Sequence, residues 1–226
     1  MEFGLTRQEA NIYMALDENE GITGYEIAKI INASRSNVYT ALTGLVEKGG
    51  AYVEEENVNK YVRVKINEFC ENHIRSLNQI KNKLIEEFSI KVKPSSGYIT
   101  IRGTQNILNK IINMLNNVEE RVYIYMEYKY MHEIRRYIDQ LIISGKKVVI
   151  LTDKEMDILD SLVYVAELEK NQVGIIVDSQ EVLTGEILES NSTCLYSNNT
   201  NLVFLFKKYL RNEIKLIKVE EEGKGK

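Results

Sequence analysis

Ser36, Tyr39, Thr40 and Thr43 recur at i, i+3, i+4 and i+7, so on a helix they share one face. That face is polar, nearly uncharged and rich in short donors and acceptors. A helix face that meets only water carries Glu and Lys instead. Short hydrogen-bonding groups, on a helix held from its other side, are what base edges and phosphates in a major groove require. Ser34, Arg35 and Asn37 extend the set at the start of the same stretch. Arg35 can reach a phosphate or a guanine. Tyr39 has a second reading as a half-buried core residue. Lys60 and Arg63, farther along, are candidates for contact with backbone phosphates.

The residues that do covalent or metal chemistry are sparse. The histidines are His73 and His132, and neither has a Ser or Cys nucleophile at a recognisable elbow. Arg102-Gly103-Thr104 is a strand-to-helix turn with one glycine and not a phosphate loop. Asp153, Glu155 and Asp157 cluster at the start of an expected helix, where the dipole accounts for them. Cys70 and His73 stand at C-x-x-H with no second ligand pair nearby. The expectation is no catalytic residue, no metal and no cofactor.

The elements that hold the polar face are legible around it. Val38, Leu42, Leu45 and Val46 form an apolar stripe on the opposite side of the same helix. Thr23 and Glu26 make a capping box before Ile27, Ala28, Ile30 and Ile31. Asn32 and Ala33 turn the chain, Ser34 caps the second helix, and Gly49 and Gly50 stop it. An earlier helix, Thr6 to Asp17, opens on a Thr6–Glu9 box and carries Ala10, Tyr13 and Leu16, with Met14 beside them. By itself this is also the pattern of a generic helical hairpin in a core.

The period then changes. Ala51 to Val53 reads as a strand, and Tyr61 to Ile66 alternates. The alternation predicts Val62, Val64 and Ile66 on one face and Tyr61, Arg63 and Lys65 on the other. Three helices followed by a two-stranded hairpin make a winged helix-turn-helix. Glu54, Glu55 and Glu56 read as a solvated strand edge protected by charge.

Residues 67–90 predict a long helix. Ile74, Leu77, Leu84 and Phe88, with Cys70 and a flaw at Lys81, form a heptad-like seam that Ile80 and Ile85 widen. This predicts a coiled-coil-like dimerising helix; the alternative is packing on its own chain. Lys93-Pro94-Ser95-Ser96-Gly97 is the expected linker. Beyond it strands and helices alternate: Tyr98 to Arg102, Thr104 to Asn117, Arg121 to Met126, Tyr130 to Ile143, Lys147 to Leu151. Glu155 to Leu168 is expected to be helical, Val173 to Val177 a strand that pairs with Glu181 to Leu188, Thr193 to Tyr196 a strand, and Thr200 to Arg211 a closing helix. The pattern is an α/β sandwich with at least a partly parallel sheet.

The 226 residues suit one large or two modest domains. No apolar run reaches membrane-spanning length and no basic-plus-apolar leader is visible, so the expected location is cytoplasmic, without membrane contact. Two distant cysteines form no disulfide framework. The net charge of −4 opposes nucleic-acid binding over the whole surface. A DNA surface must therefore be a local patch, or two patches joined in a dimer.

FGLTRQEANIYMAL, then TGYEIAKIINASRSNVYTALTGLVEKG, resembles the TrmB family of transcriptional regulators. The opening L-T-x-x-E-A-x-x-Y spans Leu5 to Tyr13, and S-R-S-x-V-Y begins the recognition helix at Ser34 to Tyr39. The later part resembles the phospholipase-D-like domain that often follows in that family. The resemblance implies an α+β winged helix-turn-helix at residues 1–66, a long linking and dimerising helix at 67–93, and an α/β phospholipase-D-like effector or dimerisation domain at 94–226. Aligning the active pattern H-x-K-x4-D on Asp178 sets Val173 at the lysine and Asn171 at the histidine, which implies an inactive domain with Asp178 as a turn residue. The chain ends before the further sugar-binding domain of some family members, so a sugar ligand is not carried over. The expected protein is a homodimeric, sequence-specific regulator of double-stranded DNA, with a small-molecule effector. The alternatives are a phospholipase-D-like phosphodiesterase or nuclease, and a winged domain used for protein contacts.

Overall fold

The computed structural model describes residues 3–19, 21–55, 57–88, 97–158 and 160–224. The chain divides into two compact units, Met1–Lys91 and Val92–Lys226. The expected linker, apart from Gly97, lies outside the described residues.

The first unit runs α1 (Arg7–Glu18), β1 (Ile22–Thr23), α2 (Gly24–Ile30), α3 (Arg35–Glu47), β2 (Ala51–Glu54), β3 (Lys60–Arg63) and α4 (Ile66–Glu87). Both capping boxes form: Thr6 with Glu9, and Thr23 with Glu26. Ser34 accepts from the Asn37 N–H and starts α3. Asn32 takes the left-handed conformation that turns α2 into α3, and Gly49 takes it after α3. Ile12, Leu16, Ile27, Val38, Leu42 and Leu45 form one core.

The hairpin is shorter than expected. β3 is the central strand of three, between β1 and β2. Tyr61 is buried, Val62 half-buried, and Ile66 exposed at the start of α4. The strand ends at Arg63, so the alternation stops there and does not reach Val64 and Ile66. Opposite partners Val53 and Tyr61 face the core, while Tyr52, opposite Val62, is exposed. The Tyr13 hydroxyl donates to the Val64 carbonyl at 2.7 Å and ties α1 to the end of the hairpin.

The second unit runs β4 (Tyr98–Arg102), α5 (Thr104–Asn116), β5 (Arg121–Met126), α6 (Tyr128–Ile143), β6 (Lys147–Thr152), β7 (Leu162–Val165), β8 (Gln172–Val177), β9 (Glu181–Glu186), β10 (Thr193–Ser197) and α7 (Thr200–Lys224). One seven-stranded sheet has the order β4-β10-β9-β8-β5-β6-β7. β5, β6 and β7 are parallel neighbours; the other pairings are antiparallel. Alternate residues of β5 serve opposite faces. Val122, Ile124 and Met126 pack with α5 and α6, while Tyr123 and Tyr125 pack with α7.

The expected helix over 155–168 does not form. Leu162–Val165 is instead β7, parallel to β6. Three of its four residues, Val163, Tyr164 and Val165, are β-branched or aromatic types that fit a pleated surface. Asp153, read as a helix-start acid, caps a different helix: its carboxylate accepts from the Tyr128 N–H at 2.6 Å, at the start of α6. The closing helix also runs farther than Arg211, to Lys224.

Candidate nucleic-acid interface

The α3 helix has the two unlike faces that its spacing implies. Val38, Leu42 and Leu45 are fully buried against α1 and α2, and Val46 packs beside them. Ser34, Arg35, Ser36, Asn37, Tyr39, Thr40 and Thr43 are all exposed. The polar face is therefore held from behind by aliphatic contacts and is open to solvent. The Thr40 hydroxyl donates to the Ser36 carbonyl, and the Thr43 hydroxyl to the Tyr39 carbonyl, each at 3.0 Å. With their protons committed to the helix backbone, both hydroxyls turn lone pairs outward as acceptors.

Two residues that spacing alone did not single out join this surface. The Tyr25 ring on α2 meets two cations: the Arg35 guanidinium at 4.2 Å from its centroid and Lys29 Nζ at 4.4 Å. This holds Arg35 at the α2–α3 junction. The sequence signal was present, since Tyr25 and Lys29 are four apart on one helix. Gly24 sets the approach of the two helices. A Cβ there would meet the Tyr39 ring at 2.7 Å and Leu42 at 3.2 Å. Tyr39 thus leans on Gly24 with one side and remains 43% exposed, which combines its two sequence readings.

The wing is engaged differently from the α3 face. Arg63 forms an ion pair with Asp17 at the end of α1, so its charge is partly neutralised within the domain. Lys60 lies near Glu26, whose carboxyl is held below its ordinary value mainly by hydrogen bonds from Thr23, with Lys60 and Lys29 adding attraction. A phosphate would compete with these acids for both wing cations.

The frame behind α3 contains a buried carboxylate. Glu9 is 5% exposed and sits against Gly44 of α3, where a Cβ would come within 2.4 Å of Oε1. Glu9 accepts from the Thr6 N–H at 2.6 Å and from Lys48 Nζ at 2.6 Å; Lys48 also donates to the Gly4 carbonyl. Burial pushes the Glu9 carboxyl up, but Lys48 and Thr6 outweigh it, and the net shift is downward. The pair joins the start of α1 to the end of α3.

On α4, Ile74, Leu77, Ile80, Leu84 and Ile85, with Phe88 at its C-cap, are 48% to 63% exposed. Phe69, next to Cys70 and one turn before His73, is instead buried beside Tyr13. The seam residues thus remain open along a helix that its first turns anchor to the winged unit.

In the second unit, Asp178 occupies the turn between β8 and β9 with φ 48°. Its carboxylate accepts from the N–H groups of Glu119, Glu120 and Arg121, each at 2.8 Å. Burial raises its pKa, and these three bonds lower it further than burial raises it. Val173 is buried, and the Asn171 side chain accepts from Lys129. The positions aligned with the active phosphodiesterase pattern therefore hold a core residue, a bonded amide and a carboxylate occupied by backbone.

Comparison with known proteins places this geometry. Residues 1–67 match the family described as sugar-specific transcriptional regulator TrmB. Residues 97–214 match the N-terminal subdomain of the TrmB effector-binding region. The uncharacterised protein YrhO of Bacillus subtilis (strain 168) is 26% identical over 149 residues, covering 65% of this chain and 54% of YrhO. The chain thus spans about half the length of that relative. A structure of TrmBL2, an archaeal chromatin protein reported to show a novel mode of DNA binding, is 20% identical and aligns over 93% of both chains with a TM-score of 0.42. NucT from Helicobacter pylori aligns with 53% of this chain and 97% of its own, at 16% identity and a TM-score of 0.44.

Proposed function

The chain belongs to the TrmB family of transcriptional regulators, and on that basis we propose that it is a homodimeric, sequence-specific DNA-binding regulator whose second unit responds to a small molecule. The observation that carries this reading is the exposed polar face of α3, backed by Val38, Leu42 and Leu45. In it α3 enters the major groove. Arg35 reads a guanine or a phosphate, Thr40 and Thr43 offer acceptors to base amino groups, and Ser34, Ser36, Asn37 and Tyr39 complete the contact. Lys60 and Arg63 touch the backbone from the wing. The open seam of Ile74, Leu77, Leu84 and Phe88 pairs with a second copy and sets the distance between two α3 helices.

A small molecule acts in this scheme by binding two dimer geometries with different affinity. The phosphodiesterase reading is disfavoured by the backbone bonds that occupy Asp178. The test is a fluorescence titration against duplex from the gene's own upstream region. Specific binding that weakens in an Arg35→Ala, Thr40→Ala double variant supports the assignment. Equal binding to unrelated duplex, unchanged in the variant, refutes it.

A further inference from the structure

The α7 helix carries a feature that none of the readings above uses. Lys207, Arg211, Lys215 and Lys218 follow one another at i, i+4, i+8 and i+11, which is one helical face. The four line a cavity of about 270 Å³ whose other walls are Tyr123 of β5, Leu210 and Ile214. No carboxylate lines it, although acids outnumber bases in the chain. None of the four cations is ion-paired among the described residues. Lys207 Nζ donates to the Ser179 hydroxyl at 2.8 Å, which fixes its head beside the β8–β9 turn.

Like charges at i, i+4 destabilise a helix. This face has two i, i+4 spacings and one i, i+3 spacing, and no acid lines the cavity beside it among the described residues, so like charges are set together there. A bound anion relieves their repulsion. The stripe spans about 16 Å at the helical rise, longer than one phosphate needs. The apolar floor of Tyr123, Leu210 and Ile214 suits the uncharged part of a small molecule, which a duplex backbone lying along the helix would not require.

We propose that this cavity is a binding site for a small organic molecule carrying at least two anionic groups of the phosphoryl class. Lys207 and Arg211 hold one group, Lys215 and Lys218 the other, and the Tyr123 floor takes the body between them. The site is defined by the second unit alone and does not depend on the DNA reading. It supplies a chemistry for the effector if that reading holds.

The test uses the full chain, titrated first without DNA and then with duplex. Inorganic pyrophosphate is titrated by calorimetry against a chloride control of matched ionic strength, with wild type and an Arg211→Gln, Lys215→Gln variant. Both substituted side chains are exposed, and a melting curve checks that the variant folds. The expected result is saturable one-to-one binding by wild type, weakened about tenfold or more in the variant as two charge-assisted contacts are lost. Heat no greater than that of chloride, or equal binding by the variant, overturns the proposal. So does a third outcome, in which pyrophosphate fails to bind but the variant loses affinity equally for every duplex. The stripe then serves nucleic-acid backbone and not a small ligand.

Discussion

Glu9 shows how a single side chain holds α3, the helix proposed to face DNA. Its carboxylate is buried at the contact of α1 with Gly44 and is bonded to Lys48 and Thr6. Glu9→Gln keeps the shape but removes the charge from a bonded site, and a loss of about 1–3 kcal/mol is expected in urea unfolding. For Gly44→Ala two effects oppose. Alanine favours a helix over glycine by about 1 kcal/mol. A Cβ 2.4 Å from Oε1 must displace the Glu9 carboxylate, and overpacking of this kind costs about 1–3 kcal/mol. The clash should win, giving a lower melting temperature despite the better helix former. The pH dependence follows from the depressed carboxyls of Glu9 and Asp178. Each binds its proton less tightly folded than unfolded. Their stabilisation is complete above the ordinary carboxylate pKa of about 4 and is lost as pH falls through the folded values. The unfolding midpoint should therefore drop below about pH 4, and the drop should be smaller in Glu9→Gln. A midpoint that rises on acidification would contradict this.

At the scale of elements, α4 gives the sharpest expectation. Five large apolar side chains on it, and Phe88 at its C-cap, are about half exposed, an arrangement that a second copy of the same helix would cover. A Leu77→Asp, Leu84→Asp variant should elute as a monomer in light-scattering chromatography where the parent elutes as a dimer. Its melting temperature should shift little, since these residues lie outside the buried clusters. A dimer that survives both charges would exclude this seam as the interface. Elements also mark where the sequence was readable. The capped helices of the first unit announced themselves, because Thr6, Thr23 and Ser34 each signal a start by a local mechanism. β1 carries no sequence signal, as two residues have no period, and it pairs with Lys60 and Tyr61 of β3. The stretch at 155–168 misled for a related reason. Its acids suggested a helix start, but Asp153 caps α6 through a partner 25 residues earlier, which local spacing does not reveal.

For the molecule as a whole, charge is the quantity that the regulator reading must accommodate. A net charge of −4 gives no general attraction to DNA, so affinity must come from the α3 face, Arg35, Lys29 and the wing. A dimer making about six phosphate contacts should lose roughly a thousandfold in affinity between 50 and 200 mM salt. The candidate interface was largely legible before coordinates, since a helix with an aliphatic back and a short polar front is written in a period of 3.6. The Arg35 contact with Tyr25 and the apolar floor of the α7 cavity were not, because each depends on which strand or helix lies opposite.

The most direct measurement is anisotropy titration of the full chain with its own upstream duplex and with a scrambled duplex, for wild type and Arg35→Ala, Thr40→Ala. Wild type should prefer its own sequence by about a thousandfold or more, and the variant should lose about tenfold to a hundredfold of that preference while its melting curve stays unchanged. Full preference retained in the variant would mean that α3 does not read the bases.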